Sequence, residues 1–300
     1  MSDVKTVRDP AIATMAPIAR ADGVALLLAL RPDMAESAAL DSLAGELGDL
    51  PLPLRLAGEY LGRLGDMDGQ PDRMLEDLRQ IAASERETAY PAVSATLWTG
   101  SMMPQAGAAS FDGSIEADLL TTLGLFLHRS GDFPGARTAF EAALVVDERM
   151  FGPAHPNVAR DENYLGLVRR DMYELDPARA SHERALAIAE ASFGPHHPLV
   201  ARYVNNLGTV LLDQGDALGA LKAFRRAFAI DEIAYGPDHP NVAIRASNLG
   251  NVLRLFAEFE EARGAYEVAH DIFLRKLGPD HTNTKTVAAN IAALGSLGWF

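Results

Sequence analysis

The sequence predicts an all-α chain whose second half is a run of helix pairs. Three observations carry that reading. A block of 42 residues recurs from the middle of the chain to its end, and a fixed period of this length marks a repeat architecture. Inside each block the apolar residues follow helical spacing rather than the alternation of a strand. Gly and Pro punctuate the blocks at fixed places, where helices stop and start.

The period is plainest at the turns. Phe151-Gly-Pro-Ala-His155-Pro recurs as Phe193-Gly-Pro-His-His197-Pro, Tyr235-Gly-Pro-Asp-His239-Pro and Leu277-Gly-Pro-Asp-His281-Thr. Further columns keep the same register. Leu-Gly falls at Gly124, Gly166, Gly208 and Gly250, and Ala at 136, 178, 220 and 262. A bulky ring falls at Phe140, His182, Phe224 and Tyr266, and a second Ala at 143, 185, 227 and 269.

The third block shows the elements in order. Pro198 opens a helix, where a first turn tolerates a missing N–H. Val204, Leu207, Val210 and Leu211 follow at helical spacing, and Gln214-Gly215-Asp216 breaks the helix. Ala220, Leu221, Phe224, Ala227 and Ile230 give a second amphipathic helix, which Tyr235-Gly-Pro ends. A mid-helix Gly costs about 1 kcal/mol of propensity relative to Ala. Repeating it at 124, 166, 208 and 250 implies close helix–helix contact there.

These columns resemble the tetratricopeptide repeat. The 42-residue period and the Gly-Pro-x-His-Pro linker are similar to the kinesin-light-chain type. The resemblance implies a right-handed α-solenoid of four helix pairs at 117–150, 159–192, 201–234 and 243–276, within a repeat domain over 114–300. A capping helix over 285–297 would close the stack, as solenoids require. The second block departs from the pattern. Tyr173-Glu174 replaces Gly-Asp, which points to an altered turn, and His182 enters the aromatic column. The fourth block has Ala257-Glu258 at the same place, and the cap has Ala292 in the Gly column.

Residues 1–100 carry no repeat. Gly23–Leu30, Ser37–Leu47 and Leu52–Leu64 read as short helices forming a small helical subdomain. Met15–Leu28, Leu43–Leu52, with its Leu50-Pro51-Leu52, Ala57–Leu61 and Tyr90–Trp98 occur in an order that resembles the C-terminal end of an NB-ARC module. That resemblance implies a remnant of the module found in bacterial signalling ATPases. No G-x-x-x-x-G-K-[ST] occurs in the sequence, so the expectation is no phosphate cradle. Thr6-Val7-Arg8 aligns with the family's sensor Thr-x-Arg, a role empty without phosphate. Residues 101–113, rich in Gly, Ala, Ser and Pro, read as a linker.

Composition excludes several function classes. The 300 residues hold 27 basic and 41 acidic side chains, a formal charge of -14. Nucleic acid and anionic membrane are therefore not expected as partners, since both need clustered Lys and Arg. With no Cys there is no disulfide, thiolate metal site or Cys nucleophile. No apolar run approaches the ~20 residues of a membrane span, and residues 1–20 lack a signal-peptide core, so a cytoplasmic location is expected.

Candidate chemical motifs have simpler structural readings. Four His at one-repeat spacing cannot converge on one metal; each is placed to cap the helix after it. Asp66-Met-Asp68-Gly69-Gln-Pro-Asp72 lacks the distal Glu of a calcium loop and reads as an acidic turn. Ser181, His182 and Glu183 are adjacent on one helix and point in different directions, so His182 is expected to pack in the core. No catalytic cluster, metal or cofactor is predicted, and an enzyme is not expected.

The informative constellation lies on the first helix of each block. Arg202, Asn205, Asn206, Thr209 and Asp213 stand opposite the apolar stripe. Arg160, Asn163, Tyr164 and Asp171 precede them, Ser247, Asn248, Asn251 and Leu255 follow, and Asn290 extends the Asn206–Asn248 column. In the resembled family this face lines a concave groove. Asn offers a peptide group both donor and acceptor, and Arg pairs carboxylates bidentately. The expected function is therefore a non-enzymatic module binding an extended, acidic protein segment through Arg160, Asn163, Arg202, Asn205, Asn206, Thr209, Asn248, Asn251 and Asn290. The alternative is the regulatory subunit of an NB-ARC-type ATPase that acts with a separate nucleotide-binding chain. Exposed Leu-rich faces in residues 1–100 also point to association with the repeats or with another copy of the chain.

Overall fold

A computed structural model describes residues 18–30, 38–48, 50–63, 71–89 and 113–297. Thirteen helices, and no strand, are found among the described residues. The Thr6–Arg8 and Tyr90–Trp98 segments, residues 101–112 of the predicted 101–113 linker and residues 66–70 of the predicted acidic turn lie outside them, while Gly113, Pro71 and Asp72 stand at the starts of helices rather than in linker or turn. The chain divides into two compact units, with the boundary between Pro153 and Ala154.

The first unit holds α1 (Arg20–Leu30), α2 (Ala38–Glu46), α3 (Pro51–Arg63), α4 (Pro71–Ala89), α5 (Gly113–Arg129) and α6 (Phe133–Phe151). The first three match the short helices expected from periodicity. α4 is additional: Met74, Leu75, Leu78 and Ile81 are buried at helical spacing along it. α5 and α6 form the first repeat. Leu52 of α3 packs against the cluster around Leu120 and Val146. The Tyr60 and Phe126 rings meet edge to face at 5.0 Å.

The second unit holds repeat two (α7, Pro156–Asp171; α8, Leu175–Phe193), repeat three (α9, Pro198–Asp213; α10, Ala217–Tyr235) and repeat four (α11, Pro240–Leu255; α12, Phe259–Leu277). α13 (Thr282–Leu297) is the expected cap and begins three residues earlier than predicted. A continuous apolar core runs through repeats three and four to the cap, with Phe224, Leu249, Tyr266, Phe273 and Leu294 in it.

The Gly column has the role its helix cost implied. A Cβ at Gly166 would lie 2.6 Å from the His182 ring, and one at Gly250 would lie 2.7 Å from Tyr266. At Gly208 it would meet Phe224 at 3.0 Å and Ala223 at 3.1 Å. Each ring is seated on the backbone of its partner helix, a fit only Gly permits.

The four His are helix caps. Nδ1 of His155 accepts from the Asn157 N–H at 3.2 Å, and that of His197 from Leu199 at 3.2 Å. His239 and His281 accept from Asn241 and Asn283, each at 3.1 Å. Each meets one of the donors that a helix start leaves unsatisfied. Ring stacking fixes two of them: His197 on Phe193 at 4.6 Å and His239 on Tyr235 at 4.2 Å.

The altered turn expected in repeat two does not occur. Tyr173 and Ala257 take φ of 60° and 57°, the conformation that Gly131 and Gly215 hold in repeats one and three. The hydrogen bonds force this. Glu174 N–H reaches Arg169 O at 2.8 Å and Tyr173 N–H reaches Arg170 O at 2.9 Å, matching the Asp216-to-Leu211 and Gly215-to-Leu212 bonds.

Candidate functional site

The candidate face lies on α7, α9, α11 and α13 in the second unit. The Asn residues predicted on it bond mainly to one another. Asn206 Nδ2 donates to Asn163 Oδ1 at 2.9 Å, and Asn248 Nδ2 to Asn205 Oδ1 at 2.8 Å. Asn205 Nδ2 donates to Asn206 Oδ1 at 3.5 Å, which joins the two bonds into one chain across three helices. Farther along, Asn290 Nδ2 and the Tyr266 hydroxyl donate to Asn251 Oδ1 at 3.4 and 2.7 Å.

Burial sorts the predicted residues. Asn163 and Asn205 are buried, so their amides lie between neighbouring helices rather than on the face. Arg160, Arg202, Asn206, Thr209, Asn248, Asn251 and Asn290 are partly exposed. Arg160 Nε donates to Asp161 Oδ1 at 3.2 Å and keeps little exposure. The Thr209 hydroxyl donates to the Asn205 carbonyl at 3.1 Å, one turn back. The Arg202 guanidinium stands 5.5 Å from the Tyr203 ring centre, within cation–π range. Ile244 occupies the Arg160–Arg202 column on α11 and is exposed.

One charged pair escaped the sequence reading. Arg245 Nε donates to Asp231 Oδ2 at 2.9 Å, with both side chains buried. Burial raises the Asp231 carboxyl, against the attraction of Arg245. Burial likewise lowers the Arg245 guanidinium, against the attraction of Asp231, and the neighbouring Arg202 lowers it further. Taking the pair out of water therefore outweighs its attraction. Tyr235, raised mainly by burial, sits in the same field.

His182 is where sequence placed it, fully buried on Gly166. Neither ring nitrogen has a hydrogen-bond partner. Burial, helped by the Arg170 charge, lowers its pKa to about 4, so the ring is neutral near neutrality. Among the described residues no three His, Asp or Glu side chains group as a metal site, and no helix is long and apolar enough to cross a membrane.

The geometry defines a class: stacked helix pairs with a ladder of amides and guanidinia on their first helices. The tetratricopeptide repeat family model matches residues 116–191, 162–233 and 203–275, more than half of the chain. The chain belongs to that family, whose fold is typical of protein–protein interaction modules. No curated protein matches it.

Solved structures share the fold. A putative kinesin light chain from Podosopora anserina with nearly identical repeats is 16% identical, at a TM-score of 0.54, over 62% of this chain and 88% of that one. BtubC (BKLC) from P. vanneervenii is 21% identical at 0.53, over 81% and 94%. The apo form of RapI is 14% identical at 0.52, over 92% and 71%.

Proposed function

We propose that this protein is a non-enzymatic interaction module that holds an extended, acidic segment of a protein partner against the first-helix face of its repeats. The observation that carries this reading is the amide ladder. Asn163 and Asn205, buried, fix the side chains of Asn206 and Asn248 from behind. A ligand then meets amides already oriented, which lowers the ordering cost of binding. Arg202, partly exposed beside the buried Arg245, supplies positive charge for an acidic side chain.

An array of synthetic 12-residue peptides of graded acidity tests it. Acidic members bind the intact chain, and Arg202→Glu weakens them by tenfold or more at unchanged helicity. Equal retention of acidic and basic peptides contradicts the reading.

A second reading, the regulatory subunit of an NB-ARC-type ATPase, is supported by the motif order in residues 1–100. In that motif Leu50 is buried just before α3, and Pro51 and Leu52 open the helix. It predicts nucleotide-dependent co-purification with a separate ATPase chain, and no heat when ATP is titrated into this chain alone.

A further inference from the structure

The turns between first and second helices carry large apolar side chains out into solvent. Tyr173 is 87% exposed, Leu255 59%, Leu218 55% and Phe256 40%. All four lie at the same end of their helix pairs, in repeats two, three and four. Neighbouring turns are tied together there. Arg170 pairs with Asp213, and Gln214 Nε2 donates to Asp176 Oδ1 at 2.7 Å. Arg225 Nη2 donates to both Glu261 oxygens at 2.8 and 2.9 Å, holding the start of α12 against α10.

Tyr173 is the telling member. Its backbone sits at φ 60°, which costs an L-residue roughly 1–2 kcal/mol and which glycine takes freely. The structure thus holds an aromatic side chain in solvent at a site where Gly would be more stable. Strain of this kind collects at functional positions, and exposed Tyr is a common anchor in protein interfaces. The surroundings set the partner's charge. The equivalent segments 169–176, 211–218 and 253–260 together hold seven acidic and three basic residues.

We infer that this turn edge is a second docking surface, distinct from the first-helix face, and that its occupant is a basic amphipathic helix of a partner protein. Its apolar side covers Tyr173, Leu218, Leu255 and Phe256. Its Lys and Arg side chains face Asp171, Asp216, Glu258 and Glu260, all exposed. An apolar row in an acidic rim selects such a helix over an acidic or purely polar segment.

Fluorescence anisotropy on the full chain tests this with a labelled 18-residue Leu/Lys peptide patterned as an amphipathic helix. The control is a scrambled peptide of the same composition. The patterned peptide binds at least tenfold tighter than the scrambled one. Tyr173→Gly with Phe256→Ser removes at least tenfold of that affinity, while Tyr173→Gly alone melts no lower than the parent. Arg202→Glu, on the other face, leaves it unchanged. Equal binding of the two peptides, or unchanged affinity in the double variant, overturns the proposal. Loss of binding in Arg202→Glu also overturns it, by moving the peptide to the first-helix face. If sedimentation shows self-association that the double variant abolishes, the occupant is a second copy and the proposal fails. Where Phe256→Ser does not fold, Leu255→Ser takes its place.

Discussion

Repeats two and three share a backbone but fill it differently. Repeat three seats Phe224 on Gly208, turns through Gly215 and caps α10 with Asp216, whose Oδ1 accepts from the Gly219 N–H at 2.8 Å. Repeat two seats His182 on Gly166, turns through Tyr173 and places Glu174 at the N-cap of α8, where it makes no side-chain cap bond. Both turns nevertheless keep the same paired hydrogen bonds. The difference teaches that the repeat geometry is set by its columns of small residues and its turn bonds. Individual side chains then depart from the optimum at a local cost.

The shared column is the place to break both repeats. Gly166→Leu and Gly208→Leu each force a side chain into a ring already in contact and cost about 3 kcal/mol or more in urea unfolding. Next in size is His182→Phe, which gives repeat two the ring of repeat three. It removes two buried ring nitrogens with no partner and stabilises the chain by about 2 kcal/mol at pH 7.5.

That substitution also separates the repeats by pH. A His held near 4 when folded, against about 6.5 unfolded, contributes fully above pH 6.5 and loses stability as pH falls toward 4. By pH 5 the parent loses about 2 kcal/mol that His182→Phe retains. The capping His197, also lowered by burial, adds loss in the same direction, since a protonated Nδ1 cannot accept from Leu199.

The turn sharpens the comparison at smaller scale. Tyr173→Gly relieves the left-handed strain and gains about 0.5–1 kcal/mol, whereas Gly215→Ala introduces it and loses about 1 kcal/mol. Smallest is Glu174→Asp, which installs the cap of repeat three and gains about 0.5 kcal/mol. Thermal melts of the three variants beside the parent rank these effects.

What recurs was legible in the sequence. The Gly–ring contacts and the His caps appear at every period, so four copies expose them. The turn of repeat two was misread because Tyr and Ala seldom take positive φ, and the hydrogen bonds that hold them there join backbone atoms. The candidate face was legible as a set of columns, but not as a bonded network. Asn163 bonds Asn206 and Asn205 bonds Asn248, one residue more than a full period apart, so neither pair lies in a single column. That offset is itself a readable signal. The Asp231–Arg245 pair joins α10 of repeat three to α11 of repeat four, and the matching positions of the other repeats hold no such acid–base pair, so periodicity gives it no echo.

The central claim is that partners are read on the first-helix face. Affinity capture with mass spectrometry, comparing the intact chain with Arg202→Glu at matched helicity and thermal midpoint, tests it most directly. The account predicts a partner held by the parent and lost by the variant, recovered by Arg202→Lys in part. A partner held equally by parent and variant would contradict it.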